Sequence, residues 1–408
     1  MSLPLMDEEF LTNPYPAYEP LQEQGPVHRM VLPSGLKVWA VVSYEESREA
    51  LAHPLLSKDI ETSVQLGYFD REMSEGGTPR LEDSSVGQHM LNMDPPDHTR
   101  LRKLVTKALT ARGVRRLEPA IEEISGTLLD AMEQRAAESP DGSVDLVAEY
   151  TSKFPVQVLG KLLGITDEHF PVLVSLTTAI MSDDDENAGA NMAAFGKHLA
   201  GMIQVKRAAP GDDLVSALIQ ARDEDAKLSD VELISTVFLM VVAGYETTVN
   251  MIGHGVRALL NHPEQLAALR ADPSLIPGAN EEFLRYEGPG NRATLRFATE
   301  PFELGGVTIG AGEYVSVLLG AANRDGGQFA CPYQLDVRRS TTGHLGFGHG
   351  VHYCVGAPLA RLEMEIALRQ LLTRFPDLAL AVPDSELTWR KSFMMQGLVR
   401  LPVRLHKP

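Results

Sequence analysis

The longest regular pattern of apolar and polar positions runs from Ser229 to about Asn261. Ser229 and Glu232 have the spacing of a capping box, and Leu228 with Leu233 supplies the accompanying hydrophobic staple. His262-Pro263 closes the run. Some thirty residues at ~1.5 Å each predict a rod of about 45–50 Å. It is apolar over much of its circumference, as a central buried helix is. Inside it, Ala243-Gly244-Tyr245-Glu246-Thr247-Thr248 sets a glycine, a glutamate and two β-branched threonines where a buried helix gains nothing from them. Local rules broken within a core element point to function.

Elsewhere the period changes. Residues 30–43 alternate apolar and polar positions around Trp39, Val41 and Val42, with Pro33-Ser34-Gly35 as a turn, and predict a small hairpin. A second strand-like region spans Arg296 to Val317, with turns at Gly305-Gly306 and Ala311-Gly312. Most of the rest reads as helix. Asp94-Pro95-Pro96-Asp97 announces one helix, with Asp94 as N-cap and Pro95 at the first helical position. That places His98 and Arg102 on one face, with Arg100 and Lys103 turned to solvent. A short helix carries Glu282 and Arg285 at i and i+3. There is no internal repeat, and Asp183-Asp184-Asp185-Glu186 reads as a solvated loop tip.

Composition narrows the classes. At 408 residues the chain can bury a large core, and length alone suggests two or three domains. A net charge of −18 sets it against nucleic acid and anionic membrane. Two cysteines, Cys331 and Cys354, make no disulfide framework and fit a reducing cytoplasm. The N-terminus shows no signal core. The most apolar stretch, Leu233 to Ala243, falls short of the ~20 residues of a membrane span. A soluble protein without a membrane anchor is expected.

The sharpest chemistry lies at Gly346-Phe347-Gly348-His349-Gly350-Val351-His352-Tyr353-Cys354-Val355-Gly356. An isolated cysteine is usually a small buried hydrophobe. Here Gly348, Gly350 and Gly356 permit a tight loop and close approach to something flat. The helix that follows turns its positive end towards the sulfur, which favours a thiolate. A zinc site built from His344, His349, His352 and Cys354 is the alternative, but zinc needs no flat surface and the usual spaced ligand pairs are missing. Cys331, before Pro332, reads as incidental.

The string Phe347-Gly348-x-Gly350-x-His352-x-Cys354-x-Gly356, continuing to Leu359-Ala360-Arg361, resembles the haem-binding loop of the cytochrome P450 family, and the resemblance extends from Asn13-Pro14-Tyr15 to Leu401-Pro402-Val403. It implies a single domain over residues 1–408, mainly α with a small β-rich region. Haem b (iron protoporphyrin IX) would lie between the long distal helix and the cysteine loop. Cys354 would be the fifth iron ligand, its electron donation favouring O–O cleavage. Ala243-Gly244-x-Glu246-Thr247-Thr248 resembles the acid–alcohol pair of a locally distorted distal helix. There the alcohol (Thr247) stabilises dioxygen and the acid (Glu246) relays protons. Read from the residues alone, Thr247 bonds back one turn and Glu246 faces a polar neighbour. His98, Arg102, Arg296 and His352 match positions that pair with haem propionates; Phe347 and Gly356 complete the cofactor loop. Glu282, Arg285 and Arg339 resemble a structural charge triad, with Leu335 where an aromatic is common.

The resemblance lines a substrate pocket with Met240, Ala243, Gly244, Thr294, Leu295, Phe393, Met394 and Met395, together with the region Thr177 to Met181 and an acidic lid between Glu61 and Met90. Gln396 stands where relatives commonly have arginine. The wording of Arg285-Tyr286-Glu287-Gly288-Pro289 and of Ala293-Thr294-Leu295-Arg296-Phe297 is most similar to bacterial members that tailor macrolides and polyketides. The resemblance implies a monomeric monooxygenase using O2, with electrons from NAD(P)H through ferredoxin reductase and ferredoxin. Arg112, Arg115, Arg116 and Arg361 offer that ferredoxin a basic patch. A peroxide-driven peroxygenase and a non-catalytic haem-binding protein remain as alternatives.

Overall fold

The computed structural model describes residues 6–7, 10, 13–59, 62–63, 66, 86–182, 187–225, 228–390, 392 and 394–406. Most of the acidic lid expected between Glu61 and Met90, the run 183–186 and Phe393 lie outside those residues. Four helices frame the site: α1 (Asp97–Thr106), α2 (Asp230–Asn261), α3 (Ile276–Glu287) and α4 (Ala357–Arg374).

The central helix α2 is built as its sequence dictates. Ser229 Oγ accepts the Glu232 N–H at 3.0 Å, and the Glu232 carboxylate accepts the Ser229 N–H at 2.7 Å. Its 32 residues reach about 48 Å. Around it pack α3, α4 and the helices Lys153–Leu163 and Ala188–Ala208. Its apolar length continues past Ala243, so by length and composition it passes for a membrane span, contrary to the sequence expectation. Two-thirds (67%) of its most apolar window is buried against protein, which marks a core helix. The expected local distortion is not present: the α-helix runs unbroken from Asp230 to Asn261.

The β-rich part is a five-stranded sheet of order β1-β2-β5-β4-β3, formed by β1 (Val27–Val31), β2 (Lys37–Val41), β3 (Leu56–Ser57), β4 (Arg296–Ala298) and β5 (Tyr314–Val317). β2 and β5 run parallel and the other pairs antiparallel. Val38 and Ala40 belong to one buried cluster and Val41 to another, so the sheet is covered on both faces. The predicted hairpin is β1–β2, turning at Gly35 in a left-handed conformation (φ 87°).

The start of α1 differs from expectation. The helix begins at Asp97, after a cis Pro95–Pro96 peptide, and Asp94 does not cap it. Its carboxylate is drawn instead to β3, where it accepts the Ser57 hydroxyl. Arg100 is not simply solvated either. It pairs with Asp97 at 2.8 Å and with Glu232 at 2.5 Å, tying α1 to the first turn of α2.

Candidate active site

The cysteine loop closes on itself through backbone bonds. The Cys354 N–H donates to Phe347 O at 2.9 Å, Gly348 N–H to Leu345 O at 2.8 Å and Tyr353 N–H to Gly350 O at 3.0 Å. Gly348 and Gly350 adopt left-handed φ values of 72° and 73°. A Cβ at Gly350 would stand 2.8 Å from the Leu51 carbonyl oxygen. Burial pushes the Cys354 thiol up, against the pull of the Gly356 and Ala357 N–H groups at the start of α4 and of Arg102 and Arg361. The N-terminal field of α4 therefore acts on the sulfur as anticipated, and iron coordination would remove its proton outright.

Cys354 opens onto a cavity of about 330 Å³. The opposite wall is α2, through Met240, Ala243, Gly244 and Thr247. Ala243 is exposed in the middle of an otherwise buried helix because it faces this space. The Thr247 hydroxyl donates to Ala243 O at 2.5 Å, one turn back. Its proton is engaged by the backbone, so its oxygen is free to accept. Gly244 also serves packing, since a Cβ there would lie 3.0 Å from Leu159 Cδ2.

One rim of the cavity is basic: His98, Arg102, Arg296 and His352 all line it. Arg102 Nη2 donates to Tyr353 O at 2.6 Å and Arg296 Nη1 to Thr294 O at 3.2 Å. Both ring nitrogens of His98 are buried without a hydrogen-bond partner among the described residues, as is His352 Nε2, 3.9 Å from Asp94. Burial lowers Arg296 to about 10 and His352 to about 4, Asp94 opposing in each case. Buried cations and orphaned donors of this kind need anions. A flat ligand with two carboxylates, a thiolate-accepting metal and apolar faces satisfies them, and the residues fit an iron porphyrin. They do not fit zinc. His344 is held by Glu281 at 3.0 Å and by the Gly346 N–H at 3.1 Å. No group of three or more metal-ligating side chains converges among the described residues.

Several expected positions fall elsewhere. Glu246 points away from the cavity into a second pocket of about 300 Å³, shared with Thr178, Met181, Asn250, Arg390 and Met395. There it ion-pairs with Arg390 and is 3.5 Å from Asn250 Nδ2, while Oε2 has no partner. Of the Thr177–Met181 region, Thr178 and Met181 line this pocket, as does Met395, and no residue of that region lines the cysteine cavity. Met394 is half-buried and does not line either one. Thr294 lines the cavity, but Leu295 packs against the sheet, because successive residues of an extended chain face opposite sides. Gln396 accepts from Tyr15 Oη at 2.7 Å and from Asn291 Nδ2 at 2.8 Å, which accounts for it as a structural bridge.

The charge triad is assembled. Arg285 meets both Glu282 oxygens, at 2.7 and 2.8 Å, with both side chains fully buried. Arg339 Nε reaches Glu282 at 3.2 Å. The two guanidinium groups also donate to carbonyls of Ala330, Cys331, Pro332 and Gln334 and so fix the meander before the cysteine loop. Leu335 fills its place in the core. Arg112, Arg115 and Arg116 are exposed, whereas Arg361 is clamped by Glu281 at 2.7 and 2.8 Å and lies over the Phe347 ring.

Sequence reasoning missed Arg390, Lys58 and Glu363. Arg390 comes from a C-terminal segment without helical or strand period. Lys58 follows a strand of two residues. Glu363 sits on α4 among ordinary helical polar positions, yet it is buried, lines the cavity and bonds Thr248. Only its place nine residues after Cys354, on the inward face of α4, signals it.

The chain is similar to known proteins over nearly its whole length. The cytochrome P450 family model matches residues 58–182 and 186–397. Cytochrome P450 107B1 of Saccharopolyspora erythraea is 46% identical over 402 residues, 98% of this chain and 96% of that protein. Cytochrome P450 monooxygenase PikC of Streptomyces venezuelae is 44% identical, covering 99% and 94%. Among solved structures, the tirandamycin C-bound P450 monooxygenase TamI superposes with a TM-score of 0.90 at 42% identity, covering 98% of this chain and all of that one.

Proposed function

Because the chain belongs to the cytochrome P450 family and is a monooxygenase of that family, we propose that it inserts one atom of O2 into a large, mostly apolar natural product of the macrolide or polyketide class, by hydroxylation or epoxidation. The observation that carries the reading is that Cys354 and Thr247 face one cavity from opposite walls, with a basic rim between them.

Haem b, when bound, supplies reductive activation of dioxygen and transfer of one oxygen atom to the substrate. Cys354 would supply the sulfur ligand, its backbone held in place by the N–H bond to Phe347 O. His98, Arg102, Arg296 and His352 would hold its carboxylates. The Thr247 oxygen is available to accept a hydrogen bond within the cavity, and Glu246, held by Arg390 in the second pocket, is the acid we assign to proton delivery from that side. A dry site needs such a relay. Met240, Ala243 and Thr294 form an adaptable apolar wall for the substrate.

Electrons reach the site from NAD(P)H through a ferredoxin reductase and a ferredoxin. The exposed Arg112, Arg115 and Arg116 support docking of an acidic partner, since the helix Ala111–Arg115 packs on α4, the helix that follows Cys354. A single-domain, monomeric, cytoplasmic protein is the form we assign.

The substrate class is tested by spectral titration with a panel of macrolides, linear polyketides and steroids, then turnover with a ferredoxin system. A low- to high-spin shift with macrolide- or polyketide-sized ligands, and a product gaining one oxygen, is expected. Absence of any shift across the panel contradicts the class. Turnover with hydrogen peroxide but not with the redox partner contradicts the monooxygenase route.

A further inference from the structure

The antiparallel register of β3 and β4 pairs Leu56 with Ala298 and Ser57 with Phe297. One step beyond the paired residues lie Lys58, just after β3, and Arg296, the first residue of β4, so the register carries the two side by side. Both are buried, 7% and 4% exposed, and both line the cysteine cavity. Like charges side by side repel, and taking both out of water raises the cost.

Their surroundings do not neutralise them. Among the described residues neither side chain makes an ion pair within 4 Å. The acid beside them is Asp94, and its oxygens are engaged by the Ser57 hydroxyl and, at 3.4 Å, the Lys58 backbone N–H. Burial, then the Arg296 charge, depresses the Lys58 ammonium well below its ordinary range, with Asp94 opposing. A second anion between the two cations is what the pair requires. A carboxylate can come from the porphyrin or from a substrate, and the Lys58–Arg296 step lies on the rim with His352 and Arg102.

We propose that Lys58 is a cofactor-binding residue that shares one porphyrin carboxylate with Arg296. This assignment rests on the haem reading of the cavity.

The test is the rate at which holoprotein yields haem to excess apomyoglobin, measured for wild type, Lys58→Met, Lys58→Gln and Lys58→Arg. Each is loaded with native haem and with haem whose two carboxylates are methyl esters. A lost charge-assisted bond accelerates release of native haem by about tenfold or more in the Met and Gln variants. Arginine at 58 restores the wild-type rate. With esterified haem the difference between wild type and variants vanishes. Native haem leaving Lys58→Gln at the wild-type rate overturns the proposal, and so does an acceleration that persists with the ester, which would mean Lys58 serves packing or a substrate carboxylate. If Lys58→Met does not accumulate, Lys58→Gln decides the case. A wild-type protein without a thiolate-type haem spectrum defeats the P450 reading itself. A normal wild-type spectrum with unchanged haem release defeats only Lys58.

Discussion

Glu246 is ion-paired with Arg390 in one pocket while the next residue of α2, Thr247, lines another, so two sequence neighbours serve two different cavities. Burial pushes the Glu246 carboxyl up and Arg390 pulls it back. The acid is held in the polar pocket by Arg390, with Asn250 one turn on. Glu246→Gln is expected to slow product formation about 10²-fold or more while leaving the substrate-induced spectral shift in place. Thr247→Ala is expected to divert reducing equivalents to hydrogen peroxide, and Thr247→Ser to restore coupling. The ratio of product to NAD(P)H consumed checks both. Unchanged coupling in Thr247→Ala removes that hydroxyl from the relay.

Glu282 carries the buried charge of Arg285. Glu282→Ala leaves that guanidinium unpaired at zero exposure, a loss of about 3–5 kcal/mol. Thermal unfolding of the purified variant, and its haem content, report the effect. Arg339→Ala is expected to cost less, because Arg339 is partly exposed and its removal strands no buried cation. Retained haem incorporation and stability in Glu282→Ala contradict the structural role.

Glu363 gives a pH signature. Its carboxyl is fully buried on α4, and burial raises it well above the usual range, with the Thr248 bond opposing. The unfolded chain ionises this group from its ordinary value of ~4.3 upwards, while the folded protein holds the proton to higher pH. Its contribution is therefore whole below that pH and falls as pH rises towards the folded value. Glu363→Gln is expected to flatten this slope, so the variant gains on wild type in melting temperature as pH moves from 5 to 8. An identical pH slope in the two proteins contradicts a neutral buried acid.

The basic patch divides by geometry. Arg112, Arg115 and Arg116 are exposed, whereas Arg361 is tied to Glu281. Arg112→Glu is expected to slow the association-limited reduction by an acidic ferredoxin and to weaken its salt dependence. Stopped-flow reduction across a salt series measures this. Equal rates for Arg112→Glu and wild type at low ionic strength rule out steering at that helix.

The extent to which the chain could be read depends on how local each signal is. The capping box at Ser229, the turn at Gly35 and the glycines around Cys354 act within a few residues, so α2, the β1–β2 hairpin and the cysteine loop were legible. Glu282, Arg285 and Arg339 were legible through a family pattern and meet as that pattern implies. What was not legible depends on direction and distant contact. Leu295 faces away because the chain is extended there, and Asp94 leaves its helix for Ser57. Glu246 turns towards Arg390, 144 residues later in the chain. Lys58 gains its meaning only from a ladder that ends beside it and brings its chain to Arg296.

Cys354 is the residue proposed to ligate haem iron, and the most direct measurement is the absorption spectrum of the reduced, CO-bound protein beside that of Cys354→Ser. The wild type is expected to show the long-wavelength Soret band of thiolate-bound iron, and the variant to lose it. A wild type with no Soret band after haem reconstitution, or a variant whose spectrum matches it, contradicts the account.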